Sequence, residues 1–245
     1  MYSNGYIFRY ATIMVVVAAA LLSTAAMMLK PFQERNKAID KMGSILISAE
    51  IKDVETEQTI NTFNQYVVEA LIIDNNGDVV DSYTGEVMQE SKAFGVDLKK
   101  ELYNKSKSES FELPLYVVEK DGVKTYVIPM RGSGLWGPVY GNMALAEDMK
   151  TIVGVTFDHD GETPGLGAEI TTPIFTDQFR GKKIFDEQGN FTSIKVVKGG
   201  ANSLPQSEQI HAVDAISGGT ITSNGVGDMI QNVVESYEPF IQKQK

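Results

Sequence analysis

Apolar and polar positions change character along the chain. Ala11–Leu29 reads ATIMVVVAAALLSTAAMML, nineteen positions without a charge. At ~1.5 Å per residue such a helix is about 28 Å long, close to the hydrocarbon thickness of a bilayer. No later run is comparable. The pattern therefore predicts a short N-terminal segment (1–10), one membrane helix (11–29) and a polar remainder. A cleaved leader competes, with Ser23–Ala25 as a small-residue cut site, but Arg9 is the only charge before the span. Residues 30–70 predict a helical stalk, with Ala38, Met42, Ile45 and Ala49 on one face and Ile60, Phe63, Tyr66 and Val67 on another.

Residues 71–245 predict one domain. Leu71–Tyr83 reads as two strands about Asn76-Gly77, and Leu113–Met130 repeats the device about Asp121-Gly122. Glu90–Ser110 is charged and predicts helix plus loop. Val139–Ala146, Thr151–Phe157, Ile184–Phe185 and Thr192–Val197 predict further strands, and Ala168–Phe179 a helix whose start Pro173 is able to break. Near the C-terminus, Val226, Met229, Ile230, Val233, Val234 and Tyr237 recur at helical spacing, with Thr222 or Ser223 as N-cap and Pro239 as the end. The expected class is α+β, a mixed or antiparallel sheet with packed helices behind one transmembrane helix.

Composition narrows the chemistry. A net charge of -10 and a pI near 4.8 argue against nucleic acid. There is no cysteine, which excludes disulfides and thiolate metal sites, and two histidines make a multi-histidine site improbable. No GxGxxG follows a strand, so dinucleotide binding is not expected. Flanking charge is ambiguous: Arg9 precedes the span, whereas Lys30, Arg35, Lys37 and Lys41 follow it. By the positive-inside rule that would leave the domain in the cytoplasm.

Glycine-rich segments carry the candidate chemistry. Asp214–Val226 (DAISGGTITSNGV) sets glycines and hydroxyls at a helix start, where backbone N–H groups favour an anion, yet no P-loop lysine follows. Gly161–Gly167 (GETPGLG) follows His159. It offers Leu166 as an apolar face for a flat ring and Glu162 as an acceptor for ring N–H groups. Arg131–Trp136 (RGSGLW) adds Leu135 and Trp136. Alone, the first reads equally well as a structural turn, the second better as a connecting loop, and the tryptophan of the third better as core; together they suggest a flat, phosphorylated aromatic ligand.

GSGLWG (Gly132–Gly137), HDGETPGLG (His159–Gly167), QFRGK (Gln178–Lys182) and DAISGGT (Asp214–Thr220), in this order, resemble the FMN-binding domain family that includes the C subunit of the Na⁺-translocating NADH:quinone oxidoreductase. The resemblance covers nearly the whole chain. It implies FMN bound covalently through a phosphoester to Thr220, with Ser217, Gly218 and Gly219 in the attachment motif. Gly219 replaces the usual alanine there, a change expected to matter little; Thr222 is the lesser acceptor. It further implies Glu162, Thr163, Leu166 and Gly167 at the ring or ribityl chain, Leu135 and Trp136 close by, and Lys198 near the phosphate. Implied partners are the other subunits of the sodium pump, which oxidise NADH and conduct Na⁺, and a flavin transferase that uses FAD and Mg²⁺. The implied role is a single-pass electron-relay flavoprotein of the bacterial inner membrane with its domain in the periplasm, against the flanking-charge count. No catalytic residue or metal site is expected. The alternatives are the G subunit of the related Rnf electron-transport complex, an extracytoplasmic ligand-sensing domain, and a hydrolase using His159.

Overall fold

The computed structural model describes residues 3–244. Residues 1 and 2, in the predicted N-terminal segment, and 245, at the end of the predicted domain, lie outside the described residues. The chain divides into two units, Met1–Lys41 and Met42–Lys245.

Helix α1 (Asn4–Ser48) is longer than the apolar window at both ends. Hydropathy marks only the bilayer-thick part, while the polar residues beyond it, such as Gln33, Glu34, Arg35 and Lys37, are good helix formers. In the first unit its large apolar side chains, from Tyr6 to Phe32, are exposed, and the helix is long and apolar enough to cross a membrane.

In the second unit the predicted continuous stalk is broken. The chain leaves α1 where Glu50 and Asp53 take left-handed backbone angles, and α2 (Thr59–Tyr66) is short. Val67, expected on a helical face, instead opens β1 (Val67–Asp74), whose β-branched residues are held between two neighbouring strands. After β2 (Val79–Tyr83), Asp97 caps α3 (Leu98–Ser106) by accepting from the Lys99 and Lys100 N–H groups. Then come β3 (Glu112–Lys120), β4 (Val123–Ser133), β5 (Pro138–Leu145) and β6 (Ile152–His159). The sheet order is β2-β1-β3-β4-β5-β6, every pair antiparallel. In the β3–β4 hairpin both Asp121 and Gly122 are left-handed, the backbone that a two-residue turn needs to match strand twist.

Both faces of the sheet are covered. On one, Ala70, Ile72, Tyr116 and Val118 lie buried with Met42, Ile45, Leu46 and Phe63. Phe63 meets the Tyr116 ring edge-on at 6.2 Å, and Asn142 Nδ2 donates to Ser44 Oγ at 2.8 Å. The other face carries the main core, including Leu115, Ile128, Met130, Met143 and Phe157.

The predicted helix over Ala168–Phe179 is instead a 3₁₀ turn, the four-residue α4 (Pro173–Thr176) and a second 3₁₀ turn. Thr172 is extended because it precedes a proline. These turns still bury Ile170, Phe175 and Phe179. Of the two late strands, Ile184–Phe185 leaves only a Phe185–Phe191 bridge, while Lys195–Val197 forms β7. Past α5 (Gln206–Gln209), β7 pairs in parallel with β8 (Ala212–Asp214). Helix α6 (Thr220–Val234) buries its apolar stripe in the main core. Pro239 does not end the helical region. It lies in the first turn of α7 (Glu238–Lys243), where its missing N–H costs nothing, and the break falls earlier, at a 3₁₀ turn over Glu235–Tyr237.

Candidate functional site

The three glycine-rich segments meet because α6 crosses the end of β4 at close range. A Cβ on Gly225 would collide with the Ser133 carbonyl, so only glycine lets the helix backbone lie there. That contact sets the start of α6 beside the turn leaving β4, closed by Gly134 N–H donating to Gly137 O at 2.7 Å. Strands β5 and β6 pair Val139 with His159, which brings the Gly161–Gly167 loop to the same end of the sheet.

Leu135, Trp136, Glu162, Thr163, Leu166, Gly167, Gly218, Gly219, Thr220, Ile221 and Thr222 line one cleft of about 130 Å³. Its apolar rim is open to solvent: Leu135 is 49% exposed, Trp136 69% and Leu166 43%. Thr220 is the first residue of α6, and Gly219 at the cap supplies no side chain, so the first-turn amides have no side-chain capping bond. Thr222 and Ser223, expected as caps, lie inside the helix and bond elsewhere. Ser223 Oγ donates to Gly219 O at 2.9 Å.

Beneath the rim lies a buried carboxylate. Glu162 is 5% exposed. Its Oε1 accepts from the Trp136 N–H at 2.9 Å and its Oε2 from the Thr222 hydroxyl at 2.6 Å. Burial pushes its pKa up, but hydrogen bonds from Thr222 and from the Trp136 and Leu135 backbone, with the His159 ring, hold it below the usual value. Glu162 is expected to accept from a ring N–H; in the structure each of its oxygens accepts from a protein donor.

The geometry sorts the other expectations. Thr222 is buried and bonded, which removes it as the alternative acceptor. His159 Nδ1 accepts from the Glu162 N–H at 3.2 Å and so is occupied as a base. Lys198 is exposed in the turn after β7 and does not line the cleft; Ser217 is exposed and does not line it either. The QFRGK run is structural. Gln178 Oε1 accepts from the Asp214 N–H at 2.7 Å, and Arg180 pairs with Glu50 at 2.5 Å. Asp214 Oδ1 accepts from the Ala201 N–H at 2.6 Å, which anchors the start of the Asp214–Thr220 segment. Gly219 matters more than expected, since a Cβ there would stand 2.7 Å from the Leu166 carbonyl oxygen. Sequence reasoning missed Ile221, 62% exposed beside the cleft. Its signal was an apolar side chain out of phase with the buried stripe of α6.

Comparison with known proteins shows what the chain resembles. Residues 134–235 match the FMN-binding domain family model. The C subunit of the Na⁺-translocating NADH-quinone reductase of Vibrio campbellii is 34% identical over 93% of this chain and 90% of the relative. That of Neisseria meningitidis serogroup B is 34% identical over 96% and 93%. The crystal structure of the same protein from Parabacteroides distasonis is similar with a TM-score of 0.75 and 36% identity, covering 89% of this chain and 98% of that one. NqrC of Shewanella oneidensis has a TM-score of 0.66 and 28% identity over 85% and 98%.

Proposed function

The chain belongs to the NqrC family, the C subunits of the Na⁺-translocating NADH-quinone reductase, and on that premise we propose that it holds FMN by a phosphoester to Thr220 Oγ1. It is a flavoprotein component of an oxidoreductase complex. The observation that carries the linkage is the position of Thr220, the first residue of a 15-residue helix and a wall of the shared cleft.

The residues present fit the group. The uncapped helix start offers backbone N–H groups and a positive dipole end to the one negative charge left on a phosphodiester. Left-handed Gly218 turns the chain into that helix. Leu135, Trp136 and Leu166 offer apolar surface to a flat ring. A cleft of about 130 Å³, below the ~300–1,000 Å³ of pockets that enclose a free ligand, supports a cofactor held by a tether. In attachment, the Thr220 hydroxyl loses its proton and forms the O–P bond, and AMP leaves when a flavin transferase supplies FAD. When bound, the flavin supplies the electron-carrying chemistry; the chain positions it and leaves one edge open.

Helix α1 anchors the protein as a single span in a bacterial inner membrane, with the domain facing the periplasm beside the other subunits. Docking within the complex would override the weak charge signal from Lys30 to Lys41. The Rnf and sensor readings lack comparable support, since the relatives described above are named as components of the NADH-quinone reductase.

The test is intact mass with peptide mapping on protein from its native membrane, beside Thr220→Val. The expected result is an increment of FMN minus water on Thr220 that the variant lacks. An unmodified native Thr220 would overturn the linkage.

A further inference from the structure

Glu162 stands at the junction of all three glycine-rich segments. It belongs to one loop, accepts from the Trp136 N–H in the second at 2.9 Å, and accepts from Thr222 in the first turn of α6 at 2.6 Å. The glycines on either side are shaped around it: a Cβ on Gly134 or on Gly167 would collide with the Glu162 carboxylate. Thr222 Oγ1 also comes within 2.5 Å of that Gly167 position. Among the described residues, no lysine or arginine pairs with this carboxylate. Its charge is held by N–H and O–H donors and the nearby His159 ring, with little of the side chain exposed.

We propose that Glu162 is a positioning residue: its carboxylate clasps the three loops of the flavin cleft and leaves a fixed negative charge beside the ring. The clasp sets the spacing between Thr220 and the Leu135–Trp136 wall. The charge opposes electron gain by a flavin at that wall and lowers its midpoint potential. This rests on the flavin reading given above. Glutamine can preserve the clasp, because its carbonyl accepts from Trp136 and its NH₂ donates to the Thr222 oxygen, while removing the charge. Alanine removes both.

The test uses full-length protein made with its flavin transferase, as wild type, Glu162→Gln and Glu162→Ala. The readouts are flavin occupancy by intact mass and midpoint potential by spectroelectrochemistry. Glu162→Gln is expected to keep wild-type occupancy with a more positive potential, and Glu162→Ala to lose occupancy several-fold. An unchanged potential in Glu162→Gln would overturn the fixed charge.

The clasp is read separately in Thr220→Val, which carries no flavin. There, adding Glu162→Ala should speed hydrogen exchange at the Trp136 amide by about tenfold. Equal exchange overturns the clasp. Should Glu162→Ala fail to fold, Thr222→Val replaces it, with the same expected direction. A wild type without flavin sinks the flavin reading, and the exchange comparison still decides the clasp.

Discussion

The aromatic cluster of the core and the rim of the cleft use similar side chains to opposite ends. Phe157, Phe175 and Phe179 meet edge-on or tilted, with ring centroids 5.2–5.9 Å apart, and are at most 5% exposed. Leu135, Trp136 and Leu166 face solvent. The cluster stabilises the fold by leaving water. The rim contributes little to folding and presents apolar surface to something else. The polar groups are inverted as well: the core side of the cleft hides the Glu162 carboxylate, which lowers entropy at the rim by tying its loops together. Stability and binding surface are thus supplied by separate residues within one end of the domain.

Changing each side in turn sharpens the comparison. Phe179→Ala empties a fully buried site and should cost ~3–5 kcal/mol, measured by urea denaturation of the full chain in detergent. A loss below about 1 kcal/mol would mean the cluster does not carry the fold. Gly225→Val would push α6 off the Ser133 carbonyl, costing about 1–3 kcal/mol, and would also lower flavin occupancy. Normal occupancy with the fold intact would show that the close crossing does not build the cleft.

Acid provides a smaller, graded effect. Glu162, Asp74 and Asp148 have carboxyls held below their usual values: hydrogen bonds from the Thr222 hydroxyl and the Trp136 and Leu135 backbone act on Glu162, from the Asp78 and Asn76 N–H groups on Asp74, and from Thr151 and Lys150 on Asp148. A depressed folded pKa means the unfolded state binds the proton first. The contribution is therefore complete above the ordinary carboxyl pKa of about 4 and fades as pH falls through the folded value. Thermal melts from pH 7 down to pH 3 should show a flat region followed by a decline below about pH 4.5; stability that rises on acidification would contradict this. Least of all, Trp136→Ala should change stability by no more than about 0.5 kcal/mol, because its ring is mostly exposed. A loss of several kcal/mol would place Trp136 in the core.

Much of the sheet was legible because its signals are local. Asn76-Gly77 and Asp121-Gly122 prescribe turns, and the apolar, β-branched runs on either side of them give the strands. The helix breaks were legible only in part. At Thr172 and Pro173 the apolar spacing suited a helix, but the proline makes its predecessor extended. Pro239 marked a helix end by the same rule, yet it occupies a first turn, where the rule does not apply. In the cleft, the glycine clusters stood out by composition and Thr220 through the family resemblance, while Ile221, marked only by being out of phase, was missed. The engagement of Glu162 and the absence of Lys198 depend on partners far away in the chain, Thr222 being sixty residues from Glu162.

By itself the sequence determined the apolar helix, the hairpins, the amphipathic C-terminal stripe and the three glycine-rich segments. Each is written in the order of neighbouring residues, through period, turn preference and motif. Tertiary structure alone decided that these segments meet in one shallow cleft, that Thr220 opens α6, and that Glu162 binds protein donors. Those outcomes turn on backbone contacts between distant segments, such as Gly225 against Ser133, where closeness in space has no counterpart in spacing along the chain.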